Sequence, residues 1–318
     1  MILLATLTAC VDSSAQEIPT MPTEGVSFVV FGDQPYIDAD LAAFPGLVAE
    51  VNATGTPFVI HLGDIKRGGT ACTDSVIVGR RELYRGFRAP VAFTPGDNEW
   101  ADCHRGGDAP LERLAFLREA FYGAEGLPLP PGVVRQGGGE GPYAEFVENL
   151  RWVHRNVVFA TAHVVGSDNG RDDFDDRTEA DDAEVVRREA AVRAWVEETF
   201  DEARRIGADA VVIAEHADLR FDRAARSRQD PAFTHLLEPL EAGARAFDGP
   251  VLLLQGDLHS CFFDKPVFHR GEEPLDNFWR LRVSGGPMQT GWFMVNIRPD
   301  EPDAVRVAPR MLRGFCRL

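Results

Sequence analysis

The sequence predicts an α/β fold organised around a largely parallel sheet, and three observations predict it. Short runs rich in Val, Ile and Phe recur along the chain and read as buried strands. Amphipathic stretches separate them, which implies β-α-β units with helices on the sheet faces. Four of the strand-like runs end in the same dipeptide, Gly-Asp.

In order, the apolar runs cover residues 26–31, 58–62, 91–94, 157–165, 210–214 and 251–255, and the helical patterns cover 40–51, 75–87, 111–122, 183–205 and 233–246. The end changes character. Residues 278–284 and 292–297 are strand-like and joined through Gly285-Gly286-Pro287, which predicts an antiparallel finish. A chain of 318 residues, 44% hydrophobic and 26% charged, carries enough apolar material for one large core or at most two average domains. Neither the Gly-rich segment 135–141 nor the acidic segment 168–184 reads as a linker, so both are excursions long enough to border a site. The acidic run lacks the alternating ligands and terminal Glu of an EF-hand and reads as a solvated loop.

Residues 1–10 are apolar apart from two threonines and end in Leu7-Thr8-Ala9-Cys10. This resembles a bacterial lipoprotein cleavage box, in which Cys10 would become the lipidated first residue. The stretch is too short to span a bilayer and has no Lys or Arg before its apolar run. The polar segment that follows reads as a tether, with a buried first strand as the alternative. The expected organisation is therefore a signal and tether over 1–24 and a single domain over 25–318. The expected location is periplasmic or cell-surface, with membrane contact only through an N-terminal lipid anchor.

Without Cys10 four cysteines remain, and four admit three pairings. Cys72 follows Asp64 by eight residues and Cys103 follows Asp97 by six, so both leave the ends of neighbouring strands. An oxidising compartment then favours Cys72 with Cys103; free thiols are the alternative in a reducing one.

The strand-end acids are Asp33, Asp64, Asp97 and Asp257, each preceded by glycine. In an open α/β sheet ligands collect outside the carboxyl ends of strands, and glycine lets the chain turn there. Singly, a Gly-Asp is more often a turn or a helix cap. Four acids brought to one edge repel one another unless a cation sits among them. His216 and His259 directly follow two of the buried runs and add imidazole, although either alone could be a core histidine. Together these six residues supply ligands for two divalent cations about 3.5 to 4 Å apart, the arrangement that clamps the attacking and leaving oxygens of a phosphoryl group.

The net charge of -17 argues against an extended nucleic-acid surface. A small phosphorylated substrate remains open, because bound divalent metal turns an acidic cleft attractive to anions.

At this point the chain resembles the calcineurin-like metallophosphoesterases, whose motifs are D-x-H, G-D, G-N-H-D/E, a histidine after a strand, and G-H-x-H. The counterparts here are Gly32-Asp33-Gln34-Pro35-Tyr36, Gly63-Asp64-Ile65-Lys66, Gly96-Asp97-Asn98-Glu99, Glu215-His216-Ala217-Asp218 and Gly256-Asp257-Leu258-His259. The resemblance implies a four-layer α/β/β/α sandwich with a two-metal site, in which Asp33, Asp64, His216 and His259 are ligands and Asp64 bridges. It implies hydrolysis of a phosphomonoester or phosphodiester by a cation-held hydroxide.

The departures define a variant site. Pro35 stands where D-x-H has histidine and cannot bind metal. Asp97 replaces a ligand asparagine and Asp257 a histidine, which makes the site harder and favours Mn²⁺, Mg²⁺, Fe²⁺ or Ca²⁺ over Zn²⁺. Asn98 stands where the pattern has its proton-donating histidine, so protonation of the leaving group falls to another residue or to water. His104 is a substitute donor or an incidental loop residue, and His163 reads as a core or cleft-wall residue. Lys66 and Arg67 follow Asp64 closely enough to reach phosphate oxygens, or form a solvated basic loop. Glu99 and Trp100 are expected to support the site and wall the cleft. Loss of these motif histidines also admits a catalytically impaired surface binding protein on the same fold.

Overall fold

The structure, a computed structural model, describes residues 18–221 and 232–318. The lipidation expected at Cys10 and most of the expected signal and tether lie outside the described residues.

Among the described residues twelve strands form two mixed sheets. In the first, β1 (Val26–Phe31), β2 (Val59–His61) and β3 (Val91–Phe93) run parallel, and β11 (Thr290–Ile297) and β12 (Val305–Arg313) extend it antiparallel beyond β1. The second sheet runs in the order β4-β5-β6-β7-β8-β10-β9. Its centre, β6 (Val157–Thr161), β7 (Ala210–Ala214), β8 (Val251–Gln255) and β10 (Phe278–Arg282), is parallel. Its edges, β4 (Val134–Arg135) with β5 (Leu150–His154) and β9 (Phe262–Asp264), pair antiparallel.

The central strands are apolar throughout because both of their faces are covered. Phe159 and Val212 point into a core between the sheets, whereas their neighbours Val158 and Val211 point into a core shared with the long helices. Across the first interface the Phe159 ring meets Phe28 at 5.3 Å and Phe58 at 4.9 Å. On the far face of the first sheet Phe31 packs against Phe44 of α1 (Asp38–Thr54) and Tyr84 of α2 (Asp74–Tyr84). The second sheet is covered by α4 (Glu179–Ile206) and α5 (Thr234–Arg245), while α3 (Pro110–Tyr122) packs beside α2. The layers are therefore helix, sheet, sheet and helix.

The antiparallel finish consists of β11 paired with β1 and β12, while β10 lies in the other sheet, parallel to β8. The Gly285-Gly286-Pro287 link thus crosses between sheets rather than forming a hairpin. Its glycines are required by close approach, because a Cβ on Gly285 would lie 2.4 Å from Asp33 Cβ. No described helix is long and apolar enough to cross a membrane.

Candidate metal centre

Asp33, Asp64 and Asp97 follow the carboxyl ends of β1, β2 and β3, and His216 and Asp257 follow those of β7 and β8. Since the two sheets pack face to face, both sets of strand ends open onto one crevice. One ligand atom each from Asp33, Asp64 and His216 lie within 4.8 Å of one another, and so do ligand atoms from Asp97, His216 and Asp257.

Glycine makes the convergence possible. A Cβ on Gly63, whose φ is 78°, would fall 2.3 Å from the Gly96 nitrogen, so the β2 and β3 loops touch only because neither has a side chain there. Glu99 ties these loops together, its buried carboxylate accepting from the backbone of Gly96 at 2.6 Å and Asp64 at 3.2 Å. Cys72 and Cys103 are disulfide-bonded, with Cα atoms 5.8 Å apart, and link the same loops further out; a second bridge joins Cys261 to Cys316. Two disulfides fit an oxidising, extracytoplasmic compartment.

His216 is wholly buried and its Nδ1 donates to the Leu62 carbonyl at 2.7 Å. That bond directs Nε2 at the carboxylates, 3.4 Å from Asp64 Oδ1 and 3.5 Å from Asp97 Oδ1. Neither Nε2 nor the buried Asp33 Oδ2 has a hydrogen-bond partner.

Without a cation the cluster must hold protons. Burial pushes the Asp33 carboxyl up to about 8 and raises Asp64 and Asp257 as well. Burial opposes a charge on His216, but the carboxylates of Asp64, Asp33 and Asp97 outweigh it and raise the imidazole well above its usual range. A divalent cation replaces those protons and partners both orphaned atoms, so these residues fit one. His216 has a single lone pair to give, because Nδ1 is committed to Leu62. It can serve one cation only, and a second would depend on carboxylates.

The other expected site residues are placed less uniformly. His259 sits at the rim, its side chain 39% exposed and Nε2 3.6 Å from Asp33 Oδ1. Asn98 is buried, donating from its backbone to Asp64 Oδ1 at 3.1 Å and from Nδ2 to Asp64 Oδ2. Lys66 corrects the expectation of a phosphate contact: its side chain is buried and Nζ donates to the Thr70 carbonyl at 2.8 Å. Arg67 is exposed on the same loop. Trp100 is interior rather than a cleft wall, packed edge-on to His163 at 5.3 Å. His104 stacks on Phe174 at 4.4 Å and bonds the Ala101 carbonyl, lining a separate cleft with Asp108 and Asp181.

Three contacts escaped the sequence reading. The Tyr36 hydroxyl donates to Asp64 Oδ2. Ser167 Oγ stands 3.0 Å from Asp97 Oδ2 and 2.8 Å from Asp102 Oδ1, held there by the left-handed turn Gly166–Gly170. Arg105, half-exposed, pairs with Asp102 and lies 3.3 Å from Ser167 Oγ. The only signal for the turn was Gly166, whose Cβ would fall 2.5 Å from Asp97 Oδ2. The segment 135–141 instead packs inward through Gln136, which bonds Asn149 and the Ala191 carbonyl.

The fold is a four-layer α/β sandwich whose two sheets open onto one carboxylate-lined crevice. No protein-family model matches the chain, and no curated protein matches it. Among solved structures it is similar to a dimetal phosphatase from Danio rerio, with a TM-score of 0.53 over 90% of this chain and 96% of that one at 12% identity. A protein of Thermus thermophilus aligns over 90% of this chain and 99% of its own, at 10% identity and a TM-score of 0.47. At such identities the likeness is one of fold.

Proposed function

We propose that the protein hydrolyses a small phosphomonoester or phosphodiester at this crevice with two divalent cations. The observation that carries the reading is the pair of ligand groups meeting at the buried His216, with its Nε2 and Asp33 Oδ2 unpaired. It is supported by the fold shared with a protein described as a dimetal phosphatase. Asp33, Asp64 and His216 would hold one cation; Asp97 and Asp257 the other, with Asp64 between them and His259 at the rim. When bound, the cations supply positive charge and an activated water. A set of four carboxylates and few nitrogens favours Mn²⁺, Mg²⁺, Fe²⁺ or Ca²⁺ over Zn²⁺.

The chain's own residues do the rest. Glu99 fixes the loops that carry Asp64 and Asp97, Leu62 fixes the tautomer of His216, and Asn98 orients Asp64. Arg67, exposed on the loop that follows Asp64, would meet phosphate oxygens from solvent. We further propose that residues 25–318 act as one exported unit, tethered through a lipid on Cys10.

Metal analysis followed by assay with nitrophenyl phosphate mono- and diesters tests this. Stoichiometric divalent metal with metal-dependent turnover is expected. Stoichiometric metal without turnover of either ester would instead make the protein a binding module on this fold.

A further inference from the structure

Tyr36 is the side chain at the crevice that the carboxylate cluster does not account for. Its ring is 5% exposed and packs edge-on against His259 at 5.1 Å. Its hydroxyl meets three partners at once: it donates to Asp64 Oδ2, lies 3.0 Å from Asn98 Nδ2, and lies 3.2 Å from His259 Nε2. A phenol has one proton, and an amide nitrogen can only donate. Asn98 therefore gives a hydrogen bond to the phenol oxygen and holds it in place, while the phenol proton points away from Asn98.

Ionised carboxylates only accept hydrogen bonds, and so does a phosphate ester. The buried side of the cluster is closed, since His216 is bonded to Leu62 there. The polar hydrogens nearest Asp64 come from its other side, where Tyr36 and Asn98 stand and His259 reaches solvent. The substituent of a bound ester must also leave on that open side. With cations held among the carboxylates, the phosphoryl oxygens would turn toward them and the oxygen bearing the substituent toward Tyr36. Turning the phenol proton from Asp64 to that oxygen needs only rotation about the Cζ–Oη bond.

We propose that Tyr36 donates the hydrogen bond that stabilises the ester's leaving oxygen, with Asn98 positioning the phenol. This rests on the phosphoester reading above. As a water oxygen bonds to phosphorus and releases a proton to solvent, the P–O bond opposite it breaks and its electron pair passes to the leaving oxygen, whose negative charge the Tyr36 hydroxyl meets. Solvent water supplies the proton that completes the alcohol.

The test is Tyr36→Phe in the Mn²⁺-loaded protein, with bound metal, melting temperature and vanadate affinity measured beside kcat/KM for an alkyl and a nitrophenyl phosphate. Losing one preorganised donor costs on the order of 10²-fold, and that loss is expected on the alkyl ester. A loss of about threefold or less is expected on the nitrophenyl ester, whose leaving group needs little help. Vanadate affinity should fall about tenfold, with metal content unchanged. Asn98→Ala, which also frees Asp64, should lower both esters but the alkyl ester further, and that difference decides the matter if Tyr36→Phe does not fold. Equal losses on both esters, or loss of bound metal, would make Tyr36 a support for Asp64 and overturn the assignment alone. A wild-type protein that holds Mn²⁺ yet neither hydrolyses these esters nor binds vanadate overturns the phosphoester reading, and the assignment with it.

Discussion

Two buried clusters of carboxylate and imidazole lie near strand ends of this protein, and their chemistry differs in one respect. In the first, Glu148 is wholly buried but faces the Arg118 guanidinium, at 3.0 Å from Nε, and His163 Nδ1 at 2.7 Å. Burial pushes that carboxyl up, yet Arg118 and His163 outweigh it and hold it down at about 2. In the second, Asp33, Asp64, Asp97 and Asp257 gather around the imidazole of His216, with His259 at the rim, and no guanidinium touches Asp33 or Asp64 among the described residues. Burial there outweighs the attraction of His216 at Asp33, which rises to about 8. A carboxylate paired with a guanidinium, which cannot give up its proton, is a closed structural element; carboxylates balanced only by protons on themselves and on His216 are built to receive a cation from outside. Thus two similar residue compositions lead to opposite expectations.

The largest expected effect separates them by activity. Asp64→Asn should remove bound metal and lower kcat/KM by at least about a hundredfold, the scale of losing a preorganised electrostatic partner. Metal content and turnover of nitrophenyl phosphate check it, and an active, metal-loaded Asp64→Asn would break the comparison. The second effect is on stability. Glu148→Gln leaves Arg118 without its counter-charge and should destabilise by about 3 kcal/mol, the lower end for a broken buried pair because Arg118 is partly exposed. Denaturant unfolding measures this, and bound metal per folded chain should be unchanged. Loss of metal in Glu148→Gln would mean that the two clusters are not independent.

Much of this contrast could be read from the residues alone, and the reason it could is physical. Strands such as β1, β7 and β8 are covered on both faces, so their apolar runs coincide with the strands observed. Strands β4, β9 and β12 are only partly buried and left no such run. The four aspartates were legible because each turn needs a glycine to let backbone pass, as at Gly63 and Gly96. Tyr36 and Ser167 carried no comparable mark. A phenol or a hydroxyl has no spacing rule, and only the folded loops show which way it faces. Lys66 was misread for the same reason, since adjacency to Asp64 says nothing about the direction in which its stem runs. Glu148, in the unremarkable segment before β5, gave no hint that it would sit against His163.

The smallest effect concerns pH, and it sharpens the comparison by its sign. A carboxyl whose folded pKa is raised binds its proton more tightly when folded, so it favours folding below its unfolded value near 3.8 and loses that contribution as pH rises toward the folded value. For Asp33 the window runs from 3.8 to about 8, with Asp64 and Asp257 shifted in the same direction. Glu148 behaves oppositely, keeping its contribution above 4.5 and losing it only as pH falls toward about 2. Between pH 5 and 8 the second cluster should therefore make the metal-free protein less stable as pH rises. A cation competes with the protons there, so its affinity should rise by up to about tenfold per pH unit for each proton displaced. Melting curves with and without Mn²⁺ at pH 5, 6, 7 and 8 measure both effects. The gain in melting temperature on adding Mn²⁺ should grow across the series in the wild type and vanish in Asp64→Asn, while Glu148→Gln, lowered throughout, should keep the wild-type slope. A gain that is flat with pH would mean that the carboxylates are already ionised without the cation, and the distinction between an open and a closed cluster would fail.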